Sequence, residues 1–100
     1  MTDLLQVLDV MPHRYPFLLI DRVLEVDGDT IRAVKNVTVN EPWVVASTSA
    51  PPNLRCVLLV EAIAQAGGYL IGLREPDRER KLILFTGIDN CRFRRSVVPG

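Results

Sequence analysis

Glu61 is the only charged residue in the run Cys56–Leu73, CVLLVEAIAQAGGYLIGL. Burying a carboxylate in an apolar helix costs on the order of several kcal/mol unless it is paired, solvated or protonated. A lone acid in that setting is a candidate for proton transfer, and the question is what stands opposite it. The plainer reading is a structural acid satisfied by nearby backbone donors. His13 is the one histidine of the chain. A histidine acting as base must reach the reacting proton directly, so a structural place in the turn before the first strand is the favoured reading. Cys56 opens the apolar run, where a helix N-terminus favours thiolate. Nothing supplies a triad around it, so it reads as a passive thiol. One histidine and two separated cysteines, Cys56 and Cys91, make a metal site improbable. Arg92, Arg94 and Arg95, with Phe93 between them, form the densest basic cluster. In a chain without net charge, one short cluster is a weak case for nucleic acid.

The elements that must position these residues follow from pattern. Thr2 and Asp3 can cap a short helix over Leu4–Met11 that Pro12 ends. Phe17–Val26, FLLIDRVLEV, reads as a strand. Asp27-Gly28-Asp29 is a hairpin signal. Ile31, Ala33, Val37 and Val39 then share one face by period two, as in a half-buried strand. Glu41–Arg55 has no clear period and reads as a loop, with Pro51-Pro52 against helix or central strand. The long helix is expected over Leu54–Leu73 with Asn53 as its N-cap. On it Glu61 shares a face with Val57, Ala64, Gln65 and Gly68. Lys81–Phe93 reads as a last strand, with Gly87 and Asp89-Asn90 marking a bulge or bend. The whole is α+β. Three strands are a thin sheet for a helix of about five turns, so the sheet looks incomplete.

Composition agrees with a single small soluble domain: 100 residues, 48% hydrophobic and 24% charged. Twelve basic and twelve acidic residues cancel, so bulk charge names no partner. Two cysteines make no disulfide framework, and a reducing cytoplasm is the default. The apolar run is marginal in length for a membrane span and is interrupted by Glu61, Gln65, Gly67 and Gly68.

Three blocks occur in a specific order and spacing. They are PHRYPFLLIDRV (Pro12–Val23), KNVTVNEP (Lys35–Pro42) followed by VLLVEAIAQAGG (Val57–Gly68), and GIDNCRFRRSVVPG (Gly87–Gly100). With these blocks the chain closely resembles the bacterial 3-hydroxyacyl-[acyl-carrier-protein] dehydratases of the FabZ type. The resemblance implies a hot-dog fold, a long helix wrapped by a curved antiparallel sheet, here a single domain over 1–100 without its closing C-terminal strands. It implies homodimers or hexamers with sites at the dimer interface, acyl carrier protein bearing a 3-hydroxyacyl thioester as partner, and no cofactor. It implies removal of water to give a trans-2-enoyl thioester. Arg92, Arg94 and Arg95 would then dock the acidic carrier protein or pair at an interface.

In such dehydratases a histidine in a G-H-F-P-G loop works with a glutamate on the neighbouring subunit's helix. A backbone N–H at the helix start polarises the thioester carbonyl. Glu61 matches the glutamate in its V-E-A-x-A-Q-A context. Counting back from Val57, Ser47 occupies the position of the catalytic histidine, and Cys56 that of the carbonyl-donating glycine. Serine has no useful basicity near neutral pH, and losing a positioned base costs roughly 10²–10⁴ in rate. Impaired dehydration is therefore expected. The alternatives are a non-catalytic subunit that binds acyl groups or carrier protein, and a non-functional gene fragment. Trp43–Cys56 keeps the length expected from such proteins while its residues depart from their pattern. Two compensating reading-frame shifts would produce this, and a true divergent loop is the competing reading.

Overall fold

The computed structural model describes residues 4–42, 44–45, 52–75 and 87–100. A first helix, α1, spans Leu4–Val10, and the N–H of Met11 still reaches the carbonyl of Val7 at 2.9 Å. Pro12 follows and cannot extend the turn. Arg14 closes the helix end by donating to the carbonyls of Met11 (2.6 Å), His13 (2.7 Å) and Leu8 (3.2 Å). A cation placed among the last carbonyls satisfies acceptors that have no partner within the helix.

Two strands, β1 (Arg22–Asp27) and β2 (Thr30–Val34), pair antiparallel in register from Arg22 with Val34 to Asp27 with Thr30. The register shifts between Val23 and Glu25, as in a bulge. Gly28 takes φ of 57° at the first position of the two-residue turn, where a side chain would be strained. Two shorter strands, β3 (Val44–Val45) and β4 (Asn53–Leu54), also pair antiparallel. The long helix α2 runs from Cys56 to Arg74 and lies against β2 and α1. Where α1 crosses it, Gly72 permits close approach. A Cβ there would come within 2.7 Å of Val10 Cγ1.

The core gathers Val7 and Met11, then Leu19, Ile20 and Val23, then Leu54, Leu58, Ala62 and Tyr69. One stripe of α2 therefore meets the rest of the molecule. Val57, Ile63 and Ile71 lie on its exposed side.

Several expected boundaries move. The first strand begins at Arg22 rather than Phe17, because the backbone of Phe17 and Leu19 bonds to a side chain of α2 instead of a strand. The second strand ends at Val34, short of Asn40. The 41–55 segment is not wholly loop, since it contributes β3 and β4. Asn53 is not the cap. It lies in β4, and Arg55 takes the N-cap position without a side-chain hydrogen bond. Of the expected last strand, residues 81–86 lie outside the described residues, and 87–93 carry no strand. The bend expected at Asp89-Asn90 is present, with Asn90 at φ of 56°.

Candidate active site

Gln65 is the one polar side chain buried in the core among the described residues, at 2% exposure. Its amide is fully engaged. The carbonyl oxygen accepts the N–H of Leu19 at 2.8 Å, and the amide nitrogen donates to the carbonyl of Phe17 at 2.8 Å. The same nitrogen donates to Glu61 Oε1 at 3.1 Å. Each group has a partner of the opposite kind, so the orientation of the amide follows from its neighbours. Gln65 thus fastens the Phe17–Leu19 segment onto α2. One turn earlier on the helix, it also aims the Glu61 carboxylate.

The segment it fastens carries His13. His13 Nε2 lies 3.9 Å from Glu61 Oε1, with side-chain exposures of 33% and 31%. The distance is beyond hydrogen-bond range but within ion-pair range. His13 Nδ1 is buried and has no hydrogen-bond partner among the described residues. The phenyl ring of Phe17 sits 6.4 Å from the imidazole, tilted by 43°. Arg14, bonded to the end of α1, holds the other side of this turn.

Glu61 is therefore not the fully buried acid that its apolar helix suggests. It is half-buried and open to solvent on one side, so it can exchange a proton with a bound molecule without ionising in a sealed core. Beyond it, Val60, Ile63, Ala64, Gly67, Gly68 and Ile71 on α2, with Ile88, Asp89 and Cys91, line an open trough of about 380 Å³. Its lining is almost wholly apolar, which suits a hydrocarbon chain.

The other sequence-derived candidates fall in separate places. Cys56 is the first residue of α2 and its side chain is exposed. Its N–H belongs to the first turn, where helix donors have no partner within the helix. Ser47 lies outside the described residues. Arg92, Arg94 and Arg95 are all exposed. Tyr69 is buried in the core, whereas Tyr15 and Phe17 are exposed, Tyr15 at 85%. The nearness of His13 to Glu61 has no signal in spacing, since 48 residues separate them. The helical spacing of Glu61 and Gln65 did carry part of the site.

A family model described as a FabA-like domain matches residues 11–100. The 3-hydroxyacyl-[acyl-carrier-protein] dehydratase FabZ of Nitratidesulfovibrio vulgaris (strain DP4) is 52% identical, over 98% of this chain and 65% of its own length. The protein of the same description from Solibacter usitatus (strain Ellin6076) is 47% identical, over 98% of this chain and 60% of its own length. That of Streptococcus pneumoniae (strain CGSP14) is 46% identical, over 100% of this chain and 71% of its own length. The chain thus spans about two thirds of the length of these curated relatives.

Proposed function

This chain belongs to the FabA-like family, and on that premise we propose that Glu61 is the acid of a site that dehydrates 3-hydroxyacyl thioesters of acyl carrier protein in fatty-acid synthesis. The hot-dog fold of the family accounts for the long helix against antiparallel strands. The elimination needs a base for the C2 proton, an acid for the departing hydroxyl and a donor for the thioester carbonyl. Protonated Glu61 gives its proton to the 3-hydroxyl, which leaves as water. A solvent water, in place of the missing base, takes the C2 proton, and the C2–H electron pair becomes the C2=C3 double bond. The Cys56 N–H is the donor for the carbonyl, where the helix dipole favours developing negative charge.

One observation carries this reading: a half-exposed carboxylate in an apolar helix, aimed by a buried amide. The apolar trough along α2 supports an acyl substrate. The exposed Arg92, Arg94 and Arg95 support docking of an acidic carrier protein. By sequence register Ser47 replaces the histidine that serves as base in FabZ-type dehydratases, so turnover is lowered roughly 10²–10⁴-fold. Assembly as a homodimer or hexamer in the cytoplasm belongs to the same reading.

Hydration of a trans-2-enoyl thioester, the reverse reaction, tests it. The chain should hydrate the thioester slowly, Glu61→Gln should abolish the activity, and Ser47→His should raise it. A rate in the unaltered chain equal to that of its longer relatives would sink the impairment. Binding of the thioester without turnover, in the chain and in Ser47→His alike, would favour a non-catalytic acyl-binding subunit.

A further inference from the structure

We propose that His13 is a positioning residue that dictates which oxygen of Glu61 carries the acid proton; the inference rests on the reading of Glu61 as the acid. His13 Nδ1 is buried without a partner among the described residues, while Nε2 faces Glu61 Oε1 at 3.9 Å. A neutral imidazole has one N–H and one bare nitrogen. Burying an N–H with no acceptor is the costlier of the two arrangements, and orphaned buried N–H groups are rarer than under-satisfied acceptors. The proton therefore sits on Nε2, directed at the carboxylate.

This tautomer rules out one role and supplies another. With Nε2 protonated, neutral His13 has no lone pair facing the site and cannot take a proton there, so it does not replace the base missing at Ser47. It is instead a second donor to Glu61 Oε1, the oxygen that already accepts from Gln65 at 3.1 Å. Two N–H groups converging on Oε1 leave that oxygen as an acceptor. The carboxylic proton must then reside on Oε2, which has no partner among the described residues and is the atom left for the substrate hydroxyl. At 3.9 Å the pair is longer than a formed hydrogen bond, and catalytic hydrogen bonds of this kind commonly shorten around a bound substrate. The turn is set up for this by bonds on both sides of His13. Arg14 ties it to α1, and Gln65 ties Phe17 and Leu19 to α2.

Because His13 is the only histidine, the side-chain nitrogens of the whole chain give a single imidazole pair in ¹⁵N NMR. At neutral pH the spectrum should show Nε2 protonated, and Glu61→Ala should move that resonance. A neutral imidazole protonated at Nδ1 overturns the proposal, with or without turnover. In enoyl-thioester hydration, His13→Ala should lower kcat roughly tenfold at unchanged KM, within the ~10²-fold that an ångström of misplacement can cost. His13→Gln, which keeps an N–H donor, should restore most of the loss. Equal kcat in the alanine variant and the unaltered chain, or no difference between the alanine and glutamine variants, also overturns it. If neither the chain nor Ser47→His turns over, the proposed reaction fails, and the tautomer decides the position of His13 on its own.

Discussion

The two long faces of α2 are built from the same kinds of residue and end in opposite surroundings. Leu58, Ala62, Gln65 and Tyr69 follow helical spacing into the core. Val57, Ile63 and Ile71 are as apolar, yet Val57 is 68% and Ile63 73% exposed. A helix that is hydrophobic all round gains nearly the same from burying either side. Hydrophobic burial therefore cannot choose its rotation. The discriminating group is the Gln65 amide, which is satisfied only when its face meets the backbone at Phe17 and Leu19. A polar residue in an apolar core here specifies orientation more than it adds stability. Orientation matters because Glu61, one turn away, turns with it.

The contrast can be broken at three places. Leu58→Ala on the inner face should cost about 2–5 kcal/mol, from lost burial and the cavity left behind, read from denaturant midpoints. Gln65→Leu keeps the volume apolar but strands the buried Leu19 N–H, for a loss of about 1–3 kcal/mol. If Gln65→Leu proves stabilising, the amide does not choose the helix rotation. Ile63→Ser on the outer face should change stability by no more than about 0.5 kcal/mol. A loss as large as that of Leu58→Ala would mean that the outer face is covered in solution, and a change in oligomeric state with the same variant would identify a second copy as the cover.

The features legible in the sequence were those whose cause is local. The Asp27-Gly28-Asp29 turn follows from glycine's access to positive φ, and the helix from its long, mostly apolar run without proline. The misreadings arose where a distant group decided the outcome. Phe17–Ile20 has strand composition, but its backbone is claimed by Gln65, 48 residues beyond Phe17. Leu54 belongs by composition to the helical run, yet it pairs with Val44 as a strand. The departure of Trp43–Cys56 from the FabZ pattern is visible in the residues alone, while Ser47 lies outside the described residues. Glu61 was readable as chemistry because a charge in an apolar run is conspicuous. His13 was not, because its importance lies in a turn that two other residues hold in place.

Leu54 also has a second neighbour. Its N–H donates to the carbonyl of Val97 at 2.9 Å, in an antiparallel bridge on its other side. The residue two positions before α2 is thus gripped by a segment 43 residues further along. Chains emerge from the ribosome N-terminus first, at roughly 5–20 residues per second. For some seconds of synthesis α2 is present and the strand leading into it is unfinished on one side. A nascent chain stalled before Val97 should therefore hold its helix but leave the Leu54 amide open to hydrogen exchange, and protection there would date the moment at which the approach to the site closes.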